Sequence, residues 1–311
     1  MKKSDVFGAR STADEVLAGI DLTGKRYLVT GAASGLGLQV ASALAANGGH
    51  VIVTARTLDR ARRACQEIGY HCSPLQCDLG DLEGVAAATA AVHRLEVPLD
   101  AIIAHAAIAP PKTLSLRNGI EAQFFVNHIG HFALINELTD LLRDGAGRVV
   151  IVSSSVAGAK DASDGILFDN LAGERFYEAR RFHRQSALAN ALYAKELSRR
   201  LKTRGIAVNC VDPGRVRPTA MARHWGMVRR LAQFAARPFL RSPAQGAATS
   251  SLLAASPNVA GVSGEIWRYC KVAPCNPLIE DRELALRLWD VCAQIVARHR
   301  ASRTGLLAHA A

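Results

Sequence analysis

The stretch 26-RYLVTGAASGLGLQVASALAANG-48 decides the fold. A short apolar run rich in β-prone residues ends at Thr30. A loop with glycines at 31, 35 and 37 follows and opens directly into an alanine- and leucine-rich helical segment. Glycines at such a strand-to-helix turn let the backbone approach a pyrophosphate, and the helix N-terminus offers amide donors and a favourable dipole. A glycine triplet alone is weak, because glycine turns are common. Its place between strand and helix makes Gly31, Ser34, Gly35, Leu36 and Gly37 the candidate phosphate cradle.

Outward from this unit the same pattern repeats. Short Val/Ile-rich runs recur at 26–30, 50–54, 73–77, 99–104, 147–153, 205–211 and 264–269, separated by helical segments. Strand–helix alternation of this kind predicts an α/β fold, a doubly wound and mostly parallel sheet of about seven strands in a single domain. Residues 1–24 read as an N-terminal segment whose short helix Ser11 would cap, 25–297 as the domain, and 298–311 as a basic, flexible tail.

The second strand runs into "VIVTARTLDR". Where an acid would meet a ribose 2′-hydroxyl, the chain offers Thr54, Ala55 and Arg56. An arginine there suits a 2′-phosphate, so NADP(H) is preferred over NAD(H).

Composition narrows the class. With 311 residues and 49% hydrophobic content, the chain can bury one large core without needing disulfides or a metal. The seven cysteines form no C-x-x-C pair and mostly fall in apolar segments, which predicts reduced core thiols in a cytoplasmic protein. No metal site is expected. The N-terminus lacks the apolar run of a signal peptide, and no stretch reaches the roughly 18 apolar residues of a spanning helix. A net charge of +11 favours an acidic ligand or surface. Nucleic acid ranks low, because the arginines are scattered and no aromatic-basic ladder accompanies them.

Together with "VNHIGHFAL", "RVVIVSSS", "LANALYAKELSRRLK" and "VDPGRV", these motifs make the chain resemble the short-chain dehydrogenase/reductase family over nearly its whole length. The likeness is to its retinol-dehydrogenase-like and WW-domain-oxidoreductase-like branch. The resemblance implies Asp78, with Leu79 beside it, as the adenine-side contact, and Asn127 as the structural and proton-relay asparagine. It implies Ser154 as the substrate-orienting serine, to within one position, since Ser153 and Ser155 adjoin it. Pro213 and Gly214 would flank the nicotinamide, and Thr219 would contact the cofactor. His128 and His131 match residues usual in this branch and read as packing groups. Self-association into a homo-oligomer is also implied.

Two departures fall on the active side. Ala104-His105-Ala106-Ala107 stands where the family has Asn-Asn-Ala-Gly. In "FHRQSALAN" (182–190), His183 falls on the family's catalytic tyrosine and Ala187 on its lysine. Neither Tyr177 nor Tyr193 restores the Tyr-x-x-x-Lys spacing. In the family the tyrosine exchanges a proton with the substrate oxygen, and the lysine lowers the phenol's pKa, ordinarily near 10. Histidine, with an ordinary pKa of roughly 6.5, could exchange that proton unaided. His183 is either a rebuilt acid/base or a helix residue in a site freed from catalysis.

Within the segment 215–241, Met221, Trp225, Val228, Leu231 and Phe234 stand at helical spacing among Arg223, Arg229, Arg230, Arg237 and Arg241. As a substrate lid it predicts a hydrophobic small-molecule substrate, with an acidic or carrier-bound form left open. An ordinary packed amphipathic helix is the alternative. Three function classes remain: an NADP(H)-dependent oxidoreductase with altered acid/base residues, a non-redox isomerase, dehydratase or cyclase, and an inactive cofactor- or partner-binding member.

Overall fold

The computed structural model describes residues 7–69, 71–154, 165–217 and 240–309, with side chains through Ala301. The strands are β1 (Arg26–Val29), β2 (His50–Ala55), β3 (Cys72–Gln76), β4 (Ala101–Ala104), β5 (Leu116–Arg117), β6 (Ile120–Glu121), β7 (Arg148–Val152), β8 (Ala207–Asp212), β9 (Ile266–Arg268) and β10 (Lys271–Val272). The helices are α1 (Ala13–Leu17), α2 (Gly35–Ala46), α3 (Leu58–Ile68), α4 (Leu82–His93), α5 (Ala122–Phe124), α6 (Gly130–Leu138), α7 (Ala179–Arg200), α8 (Pro243–Ala255) and α9 (Arg282–His309).

The main sheet has eight strands in the order β10-β9-β8-β7-β4-β1-β2-β3. Seven are parallel, and the short β10 pairs antiparallel with β9. Apolar residues cover both faces of the central strands, which is why β1, β2, β4 and β8 are buried nearly throughout and do not alternate. One core, with Phe124, Phe125, Leu188 and Leu192, fills the face under α4, α6, α7 and α9. The other, with Leu17, Leu44 and Leu252, fills the face under α1, α2 and α8. Strand order reverses between β1 and β4, so the glycine loop after β1 and the loop after β4 open a crevice at the carboxyl ends of the strands.

Several expectations are corrected. The cap of α1 is Thr12, not Ser11: Thr12 Oγ1 accepts from Glu15 N at 3.2 Å and Glu15 Oε2 accepts from Thr12 N at 2.8 Å, a reciprocal capping box. Ser11 instead accepts from Gly8 N. The expected flexible tail is helical through His309, since its Ala, Arg and Leu residues are good helix formers continuing α9. The cysteines are not all reduced. Cys65 near the end of α3 and Cys72 at the start of β3 have Cα atoms 5.3 Å apart and form a disulfide, because β3 packs beside α3. Thr219 and the lid residues 218–239 lie outside the described residues.

Candidate active site

The crevice is built from the glycine loop upward. Gly31 and Gly35 have φ of +66° and +64°, where only glycine is unstrained. A Cβ on Gly31 would sit 2.7 Å from Ala106 Cα, and one on Gly37 would sit 2.7 Å from the Gly31 carbonyl oxygen. The loop is therefore pressed against the loop after β4 and against its own helix. Ser34, the N-cap of α2, makes no capping bond, and no acid stands in the first turn. The first-turn amides of α2 thus face the crevice with neither a side-chain cap nor a compensating carboxylate, the surroundings a phosphate would use. The side chain of Leu36 packs on Gly246 of α8, so any contact it makes to a ligand is through its backbone.

Thr30 ties the two loops together, a role for which the sequence carries no signal. Its Oγ1 accepts from His105 N at 2.9 Å and Ala106 N at 3.0 Å, so its own proton goes to His131 Nε2 at 2.8 Å. That fixes the His131 tautomer: Nδ1–H donates to the Asn127 carbonyl at 3.0 Å. His131 is therefore neutral, with burial lowering its pKa to about 4. His105, in the family's asparagine position, bonds Ser250 of α8 at 3.1 Å, and burial likewise lowers its pKa to about 4. The missing amides are replaced by a link from β4 to α8.

On the adenine side, Arg56 is exposed just beyond β2. Thr57, the N-cap of α3, also makes no side-chain capping bond. Asp78 Oδ1 accepts from Gly80 N at 2.9 Å, closing a turn that leaves Oδ2 for another donor. Leu79 is buried, with its carbonyl oxygen 2.3 Å from where a Cβ of Gly130 would stand, so it seats α6. The cradle and the open helix ends fit the pyrophosphate of a dinucleotide.

Asn127 lies in a π-helical turn, Phe125–Ile129, between α5 and α6. Such turns concentrate at functional sites. Its Oδ1 accepts from Ile108 N at 2.8 Å and its Nδ2 reaches Ser186 Oγ at 3.4 Å, so the side chain joins the β4 loop to α7. Its carbonyl also accepts from Asn190 Nδ2 at 3.1 Å, and Asn190 donates to the Val152 carbonyl at 3.0 Å. Asn190 Oδ1 accepts Nδ1–H of His128 at 3.0 Å, and Cys292 Sγ lies 3.3 Å from His128 Nε2. His128 is fully buried and neutral, its pKa lowered to about 4 by burial. Both histidines are framework, in line with the packing role read from sequence.

These bonds set α7 against β7. Val152 is bonded to Asn190, and Ser153 Oγ donates to the Ala187 carbonyl at 2.7 Å. Ser154 follows Ser153 beyond the strand end, and His183 stands one helical turn before Ala187 on α7. Ser153 is committed to the helix. Ser154 Oγ and His183 Nδ1 are both buried and without a hydrogen-bond partner. Burial pushes the His183 pKa below its ordinary value. Ala187 is buried in the helix–sheet contact, and Ser186 Oγ donates to the His183 carbonyl at 2.9 Å.

The turn after β8 is braced from three sides. Asp212 Oδ1 accepts from Gly214 N at 2.8 Å, while its Oδ2 takes Arg268 Nε at 2.6 Å and Nη2 at 2.5 Å. Arg241 donates to the Pro213 carbonyl at 3.0 Å and lies over the Tyr269 ring, 4.6 Å from its centroid. Gly214 has φ +71°, and a Cβ there would stand 2.6 Å from Tyr269 Cε1. Sequence reasoning found the turn but not its braces, Arg268, Arg241 and Tyr269, which come from later strands and loops.

This arrangement, a switch-point crevice with a glycine cradle, a buried asparagine and an open serine, has relatives among known proteins. A family model described as short chain dehydrogenase matches residues 25–166. The WW domain-containing oxidoreductase of Homo sapiens is 35% identical over 310 residues, covering 96% of this chain and 74% of that protein. Retinol dehydrogenase 14 of Homo sapiens is 36% identical over 295 residues, covering 88% and 86%. A solved structure of a protein from Mycobacterium Paratuberculosis is 25% identical with a TM-score of 0.71, covering 91% of this chain and 97% of its own. The chain belongs to the short-chain dehydrogenase/reductase family, an oxidoreductase family whose members use nicotinamide cofactors, in the branch of the WW domain-containing oxidoreductases and retinol dehydrogenases.

Proposed function

We propose that this chain is an NADP(H)-dependent oxidoreductase of hydrophobic carbonyl or alcohol substrates, in which His183 exchanges the proton that the family's tyrosine exchanges. One observation carries the reading: Ser154 Oγ and His183 Nδ1 are each buried without a hydrogen-bond partner, and the Ser153–Ala187 bond ties the strand end that bears one to the helix that bears the other. A buried polar atom left unbonded costs about 1–3 kcal/mol, and a substrate oxygen received between the two would recover that cost. The nicotinamide, when bound, supplies or takes the hydride. Ser154 orients the oxygen, and His183 gives it a proton in reduction or removes one in oxidation. Asn127 holds the β4 loop and α7 in place. Arg56 and the open first turns of α2 and α3 favour NADP(H).

Ala187 favours a second reading. Where the family's lysine would bind the nicotinamide ribose there is a buried methyl group, so cofactor affinity falls, and the crevice would suit proton chemistry without hydride transfer. NADPH and NADH titrations by fluorescence and calorimetry, run beside a carbonyl panel followed at the NADPH absorbance, separate the two. Submillimolar NADPH binding with carbonyl turnover lost in His183→Ala supports the first. No cofactor binding sinks it, and substrate conversion without an absorbance change supports the second.

A further inference from the structure

Among the described residues, the large apolar side chains left exposed are Leu95, Leu114, Leu116, Phe176 and Val272. Three of them stand on two segments that the fold joins. Leu114 Cδ1 lies 2.9 Å from where a Cβ of Gly173 would sit, Tyr177 donates its hydroxyl to the Pro111 carbonyl at 3.1 Å, and Glu121 N donates to the Leu171 carbonyl at 2.9 Å. Both segments are held by hydrogen bonds. Buried Asn170 accepts from Arg175 N, donates to the Phe176 carbonyl, and receives Gly173 N on its own carbonyl, each at 3.0 Å. Leu116 lies in a two-residue hairpin whose Asn118 and Gly119 have φ of +48° and +73°, the backbone that tight antiparallel turns require. Leu116 and Phe176, each 41% exposed, are thus presented by fixed turns.

Single exposed apolar residues are ordinary, but a cluster of them rimmed by charge marks an interaction site. Here the rim is basic on balance: Lys112, Arg117, Arg180, Arg181 and Arg184 stand on the two segments and the first turns of α7 against the surface carboxylates of Glu174 and Glu178, while Arg175 is paired with Asp169. The Arg181 guanidinium lies 4.7 Å from the centroid of the Phe176 ring. We propose that this face docks on an anionic lipid bilayer, with Leu114, Leu116 and Phe176 entering the interfacial layer and the cations meeting headgroup phosphates. Apolar anchors among basic side chains are the chemistry of interfacial attachment. The segment from Ile108 to Pro111 and the first turns of α7 border the crevice, so the docked face would put the site beside the layer that dissolves a lipophilic substrate. Only that last consequence rests on the proposed function; attachment itself needs neither cofactor nor turnover.

Cosedimentation of the full chain with vesicles of phosphatidylcholine, with and without phosphatidylglycerol, tests the proposal. Binding is expected on the anionic vesicles, weakening with salt. It should fall about tenfold or more in Lys112→Glu/Arg180→Glu, whose side chains are exposed, and comparably in Leu116→Ser/Phe176→Ser, with thermal midpoints near that of the parent. No binding to anionic vesicles, or binding that all these variants retain, overturns it. So does capture of a purified acyl carrier protein that the same variants lose, without vesicle binding, which would assign the face to an acidic protein.

Discussion

In the proposed reaction His183 sets the proton chemistry. Its neighbours in the crevice leave Nδ1 unbonded, and burial lowers its pKa, so at neutral pH the ring is uncharged. An uncharged imidazole accepts a proton, which favours oxidation of an alcohol; reduction of a carbonyl needs the imidazolium. With steady-state rates measured in both directions, reduction should therefore rise as pH falls through a value below 6.5, and oxidation should be flat above it. His183→Ala should lower both by about 10²–10⁴-fold and remove the pH dependence. At the adenine end, Arg56→Ala should weaken NADPH by about tenfold or more in calorimetry, the cost of losing a charge-assisted contact, while leaving NADH nearly unchanged. Sequence singled out these residues by their places in motif frames. It could not separate Ser154 from Ser153, since that distinction lies in which hydroxyl the Ala187 carbonyl takes. Thr30 was invisible because its partners, His105, Ala106 and His131, lie 75 or more positions away.

Among the elements, α7 and the turn from α5 to α6 form one buried polar unit. Asn190 joins Val152, Asn127 and His128, and His131 joins Thr30 to Asn127. The strand and helix order was legible because buried parallel strands read as continuous apolar runs. The β5–β6 hairpin and β10 were not, for two-residue strands carry no period, and the π-helical turn shares its apolar pattern with an ordinary helix. The polar unit has a pH consequence. His128 and His131 titrate near 4 in the fold and at about 6.5 unfolded. Below about 6.5 the unfolded chain takes up protons that the folded chain refuses. Stability is accordingly full at neutral pH and falls as pH drops from about 6.5 toward 4, by about 2 kcal/mol per histidine near pH 5. Urea midpoints at neutral pH and near pH 5 measure this. His131→Gln should flatten the slope, since an amide has no proton to take up.

At the scale of the molecule, the sheet places function and fastening at opposite ends. The crevice lies at the carboxyl ends of the strands, where β1 and β4 part. The disulfide lies at the amino end of β3, where α3 has run the length of the sheet. Sequence placed the crevice because strand–glycine–helix order fixes which end it occupies. The disulfide escaped because a spacing of seven says nothing about whether the intervening chain turns back on itself. The separation makes the two independently testable. Closing so short a loop stabilises by about 2.5 kcal/mol in the chain-entropy model. For a domain of this size that corresponds to roughly 4 °C in the thermal midpoint. Dithiothreitol, or Cys65→Ser/Cys72→Ser, should lower the midpoint by that amount in calorimetry. NADPH affinity should stay within about twofold, because the open first turn of α3 at Thr57 and the exposed Arg56 sit a full helix length from the bond. A reduced protein that keeps its midpoint would show that α3 and β3 hold together without the disulfide.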